Sequence, residues 1–153
     1  MAPDGANAAH VRADYRHFLT IPTRWMDSDA YGHVNNVTYY SYFDTVVNEH
    51  LINAGGLDFA SSPIVGLVVD NRCTFRKSLT FPEHVDAGMR VTHVGTSSVV
   101  YEIALFRVGD DEPAATGRFV HVWVDRATQR PARVPERIRA ALAPLHVPDD
   151  GAR

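Results

Sequence analysis

The sequence predicts an α+β domain in which a curved antiparallel sheet wraps one long helix. Three observations carry this. One long helical stretch stands near the N-terminal third. Four strand-like stretches joined by short links follow it. A further strand-like stretch precedes it. A lone greasy helix and a run of antiparallel strands bury their apolar faces most economically against each other.

The strand before the helix is predicted over residues 17–25, where Phe18, Thr20, Ile21, Thr23 and Trp25 give a strand-like composition. Pro22 requires an edge position or a bulge there. Residues 26–35 read as a loop, with two aspartates and Gly32. Residues 36–53 are predicted helical. Val37, Tyr40, Phe43, Val47 and Leu51 recur at spacings of three and four and make one apolar stripe. Asn35 or Asn36 suits the N-cap, and Gly55 and Gly56 end the helix. Tyr39 and Tyr42 beside the stripe predict a helix enclosed on several sides.

Beyond Pro63 the character turns to β. The first long strand is predicted over residues 64–77, with Val65, Leu67, Val69, Cys73 and Phe75 on one face. Strands at 85–94, 97–108 and 114–125 follow, the last two joined by a turn at Gly109–Glu112. Pro135 opens a short helix over residues 136–142. The predicted domain spans residues 15–145, between loose tails at 1–14 and 146–153.

The chain has 153 residues, enough for one domain with a proper core. A net charge of −3 argues against a nucleic-acid partner, which needs a basic footprint. No apolar run approaches the ~20 residues that span a bilayer, so no membrane partner is expected. The first fourteen residues lack the apolar core of a secretory signal. Cys73 is the single cysteine, which suits a reducing cytoplasm. It falls on an apolar strand face and reads as core rather than nucleophile. The eight histidines lack metal-ligand spacing, so no metal is expected. No nucleophile-elbow or phosphate-loop motif is present.

The densest signal is the run Arg24-Trp25-Met26-Asp27-Ser28-Asp29-Ala30-Tyr31-Gly32-His33-Val34-Asn35-Asn36, followed by Tyr39. Two carboxylates stand in a loop that feeds a helix N-terminus, where backbone N–H groups have no intrahelical acceptor. Those donors and the helix dipole stabilise negative charge. Acyl transfer needs a base or nucleophile and donors for an oxyanion, and both fall within a dozen residues. A capped turn calls for the same pair of aspartates, and spacing alone does not choose between the two.

This pattern resembles the acyl-CoA thioesterases related to 4-hydroxybenzoyl-CoA thioesterase, whose members have the hotdog fold. The resemblance runs through Arg24 to Tyr39 and continues at Gly95–Ser98, Tyr101-Glu102, Val124-Asp125 and Arg130-Pro131, covering roughly residues 17–143. It implies an acyl-CoA substrate and no separate cofactor, coenzyme A being part of the substrate. It implies that Asp29 is the catalytic carboxylate, as nucleophile or general base, and that the Asn36 backbone N–H polarises the thioester carbonyl. Asp27 is then structural. His33 orders a water or packs in the loop. Asp44 matches a position where relatives often carry an acid; it also reads as a hydrogen-bonded residue of the helix.

Some relatives place basic residues just before the equivalent of Ser98, against the CoA phosphates, where this chain has Gly95-Thr96-Ser97. Arg72, Arg76 and Lys77 are the alternative phosphate contacts, with Ser98 retained as a further CoA contact. The resemblance also implies a homodimer or homotetramer with the active site between subunits. Two rival activities remain open: a hotdog hydratase pairing Asp29 with His33, and a non-catalytic acyl-CoA-binding module.

Overall fold

The computed structural model describes residues 10–148. Five strands form one antiparallel sheet: β1 (His17–Pro22), β2 (Ile64–Phe75), β3 (His84–Val94), β4 (Ser98–Arg107) and β5 (Ala115–Asp125). Their order across the sheet is β1-β3-β4-β5-β2, so β1 and β2 are its edges. Helix α1 (Asn36–Asn53) lies on the concave side, and the short α2 (Glu136–Leu142) packs beside it.

Helix α1 starts where its cap residue dictates. Asn35 is extended at the N-cap, and its side chain accepts the Val37 N–H at 3.2 Å. Its buried stripe is Tyr39, Tyr42, Phe43, Val46, Val47 and Leu51. The predicted stripe is corrected at its first member. Val37 is 67% exposed, because at the first turn the sheet side is taken by Val34 and Tyr39.

The sheet presents Val85, Ala87, Met89, Tyr101, Ile103, Leu105, Phe119 and Trp123 to this helix. Gly117 belongs to the same face, and a Cβ there would lie 2.3 Å from Phe43 Cε2 and 2.7 Å from the Arg72 carbonyl oxygen. The aromatic ring occupies the space a side chain would need. On the outer face a smaller cluster gathers Tyr15, Ala104 and Phe106.

Strand β2 departs from its predicted face pattern. The register with β5 shifts between Val68 and Asp70, a bulge that reverses the alternation. Directly paired residues share a face. Gly66, Val68, Asn71 and Cys73 pair with Trp123, His121, Phe119 and Gly117 and face the helix. Val65 and Leu67 pair with Val124 and Val122 and face outward. The predicted face therefore holds at Cys73 and Phe75 and fails before the bulge.

Strand β1 stops at Pro22, and residues 25–27 form a 3-10 turn rather than the predicted strand end. Pro22 closes an edge strand, where its missing donor does no harm. Where the predicted tails are described, they are docked. Arg12 binds Asp86 at 2.7 Å and the Asp110 carbonyl at 2.8 Å, and the Val147 N–H reaches the Val91 carbonyl at 2.8 Å. The rest of both tails lies outside the described residues. Among the described residues no helix is long and apolar enough to cross a membrane.

Candidate active site

The loop from Arg24 to Asn35 is built around Asp27. Its carboxylate is 1% exposed and accepts the Arg24 N–H at 2.8 Å, the Arg24 Nε–H at 3.0 Å and the Tyr42 hydroxyl at 2.8 Å. Burial alone would raise its pKa. The Arg24 donors and charge, together with the Tyr42 hydroxyl, outweigh burial and hold it below the usual carboxylate range. The Asp27 carbonyl in turn accepts the Asn35 N–H at 2.8 Å, which sets the N-cap of α1. Burial, and then the bond to Asp27, raises the Tyr42 pKa, so its proton stays in place.

Asp29 has different surroundings. Its Oδ1 accepts the Tyr31 N–H at 2.8 Å, with the His33 N–H at 3.4 Å. Its backbone N–H donates to the His33 carbonyl at 2.8 Å, closing a tight loop in which Gly32 takes a positive φ of 82°. Among the described residues no group donates to Oδ2 of Asp29. At the helix start, the Val37 N–H is met by the Asn35 side chain and the Thr38 N–H by the Asn35 carbonyl. The Asn36 N–H has no acceptor among the described residues.

Asp29, His33 and Asn36 line one cleft of about 310 Å³, together with Val34, Tyr39 and Phe75 and with Arg76, Lys77 and Ser78 on the far wall. Five sequence-predicted site residues thus meet: Asp29, His33, Asn36, Arg76 and Lys77. Two do not. Arg72 pairs with Arg118 on the outward face of β2 and sits 3.6 Å from Asp70. Its strand alternation turns it away from the cleft. Ser98 begins β4 opposite Val122, at the other end of the sheet from Phe75 and Arg76. Asp44 lies along α1 outside the cleft, with its pKa raised by burial.

The two cations of the far wall differ. Lys77 Nζ stands 3.4 Å from Glu112 and 4.0 Å from Asp110, both in the β4–β5 turn region. Arg76 has no ion-pair partner among the described residues. The sequence reading missed Tyr39, Phe75 and Ser78 as cleft residues. Tyr39 closes the Arg24-to-Tyr39 motif, which was its available signal. Phe75 and Ser78 adjoin Arg76 and Lys77 but carry no distinguishing pattern. Cys73 is half-buried behind this wall, and burial pushes its thiol up to about 12, which leaves it inert.

An antiparallel sheet wrapped on one long helix, with a cleft at the helix start, is the architecture of the hotdog-type thioester hydrolases. The comparisons agree. Residues 23–142 match the model of the thioesterase-like superfamily, and the chain belongs to that family. Its fold is similar to that of the PA5185 protein of Pseudomonas aeruginosa, at 48% identity and a TM-score of 0.90, over 95% of this chain and all of that one. It is also similar to PA2801 of the same organism, a proposed thioesterase, at 33% identity and a TM-score of 0.78, over 83% of this chain and 98% of that one. A more distant relative is the YsmA protein of Bacillus subtilis, 24% identical over 75% of this chain and 77% of that protein.

Proposed function

We propose that the chain hydrolyses an acyl-CoA thioester to a free acid and CoA. The observation that carries this reading is that Asp29, whose Oδ2 meets no donor, and Asn36, whose N–H meets no acceptor, among the described residues, line one cleft with Arg76 and Lys77. The thioester carbonyl points its oxygen at the Asn36 N–H, at the positive end of α1, where charge develops as the carbon becomes tetrahedral. Asp29 then acts in one of two ways. It adds to the carbonyl carbon, expelling CoA thiolate and leaving a mixed anhydride that water cleaves. Otherwise it takes a proton from water, whose oxygen adds to the carbon before the thiolate leaves. Thiolate is a good leaving group, so neither route needs a strong acid on sulfur. His33, which lines the same cleft, orders that water in this reading. Arg76 is the principal contact for CoA phosphate, since no acid among the described residues pairs with it.

The site is completed by a second copy of the chain. Edge strand β2 presents Leu67, Val68 and Val69 at 41%, 46% and 59% exposure, along an edge with no strand beside it among the described residues. A long apolar edge of this kind calls for a partner. Residues 64–71 and 55–62 of a second copy would then wall the cleft, in a homodimer or a dimer of dimers. A sedimentation run that finds only monomer at micromolar concentration removes this part of the reading. The lone, inert cysteine fits work in a reducing cytoplasm.

The deciding experiment is thiol release measured on a panel of acyl-CoA thioesters. Release that depends on Asp29 supports the reading. Binding of acyl-CoA without release on any member favours a non-catalytic module instead. Hydration of an enoyl-CoA without thiol release favours the hydratase, for which His33 beside Asp29 in the cleft is the relevant observation.

A further inference from the structure

Leu79 attaches the far wall of the cleft to the catalytic loop. Its carbonyl accepts the Val34 N–H at 2.8 Å, and its own N–H donates to Tyr39 Oη at 3.3 Å. The Tyr39 hydroxyl also reaches the Lys77 carbonyl at 3.5 Å. Leu79 is fully buried, and its N–H has no other acceptor among the described residues. The Tyr39 ring is itself buried and meets Phe75 edge-on at 5.0 Å between centroids. Tyr39 stands one turn into α1, three residues after Asn36. The phenol therefore spans from the element that carries the oxyanion donor to the segment that carries Arg76, Lys77 and Ser78.

We propose that Tyr39 is a positioning residue whose hydroxyl fixes the distance between the helix N-terminus and the phosphate-binding wall, and thereby the affinity for the CoA part of the substrate. The proposal rests on the acyl-CoA reading above. Removing the hydroxyl leaves the buried Leu79 N–H without an acceptor, an expensive condition that moves the 77–79 segment until water or another group is met. The loop meets the moving segment only at the Val34 N–H to Leu79 carbonyl bond among the described residues, and Asp29 and the helix start keep their own bonds from Tyr31, His33 and Asn35, so the effect on them is smaller than on the wall.

The test is Tyr39→Phe, which keeps the ring and its packing. Two thioesters of one acyl group are compared: the CoA ester and the N-acetylcysteamine ester, which lacks the phosphates. The expected result is a roughly tenfold rise in KM for the CoA ester with kcat within about twofold, so that the preference for CoA narrows by about the same factor. Hydrogen exchange at the Leu79 amide, followed by NMR without substrate, is expected to speed up by at least about tenfold, with an unchanged circular dichroism spectrum. Unchanged Leu79 exchange overturns the proposal. So does a loss of kcat at constant KM, or an equal rise in KM for both esters. A wild-type protein inactive on every acyl-CoA defeats the functional reading instead, and the Leu79 exchange rate still decides the clamp.

Discussion

Tyr42, on the second turn of α1, donates its hydroxyl to Asp27 Oδ2 at 2.8 Å inside the protein. That bond ties the middle of the helix to the loop before it. It leaves Asp29, two residues further on, as the member of the pair that faces the cleft.

The two aspartates should accordingly fail in different ways. Asp29→Asn is nearly isosteric and should keep the fold while lowering kcat by about 10²–10⁴, the usual loss on removing a general base, or more if the carboxylate is the nucleophile. Asp27→Asn trades a charge paired with Arg24 for a neutral amide and should lower stability by about 1–3 kcal/mol. Thiol release and thermal melts of both variants separate the cases. Near-normal turnover in Asp29→Asn beside a dead Asp27→Asn would mean that the catalytic carboxylate is the other one.

Arg76 and Lys77 should also part company. Arg76→Ala should raise KM for the CoA ester about tenfold, the scale of one charge-assisted hydrogen bond. Lys77→Ala should raise it by less than about threefold, because Glu112 and Asp110 already offset that charge. Steady-state kinetics at two salt concentrations checks this, since the Arg76 contribution should fade with added salt. Equal effects of the two substitutions would count against the assignment.

Gly117→Ala tests the seat of the central helix. The added methyl would meet Phe43 and the Arg72 carbonyl well inside contact distance, and the backbone oxygen has no freedom to yield. Overpacking of this kind costs about 1–3 kcal/mol, here with the upper end expected, and denaturant unfolding would read it. A variant as stable as the parent would show that α1 can shift on the sheet.

His121 gives a pH dependence. It is 3% exposed, bonds the Tyr101 hydroxyl through Nδ1 at 3.1 Å, and burial pushes its pKa down to about 4 from 6.5. Above pH 6.5 the ring is neutral in both folded and unfolded chains. As pH falls from 6.5 towards 4, the unfolded chain binds a proton that the folded one refuses, and stability drops by up to ~3 kcal/mol. Denaturant unfolding at pH 7, 6 and 5 should show this loss. His121→Gln should flatten the slope by about one proton near pH 5. An unchanged slope would mean that His121 is protonated in the fold.

Local signals along the chain determined much of the molecule. Asn35 as cap and the apolar spacing after it place α1 over residues 36–53, because capping and periodicity act within a few turns. The alternating strand stretches and the Gly109 turn place β3 to β5 to within a residue or two. The Arg24-to-Tyr39 run marks the site loop, since its aspartates and glycine must adopt one tight turn. Tertiary packing decided the rest. The bulge between Val68 and Asp70 reverses the faces of half of β2, and nothing in that stretch announces it, because the register is fixed by pairing with β5. Arg72, beside the inward Cys73, faces outward by simple alternation, whereas Arg76 joins the cleft from the segment just beyond the end of β2. The difference between Asp27 and Asp29 is one of burial, set by Arg24 and by Tyr42 on the second turn of α1, and no spacing between two aspartates contains it.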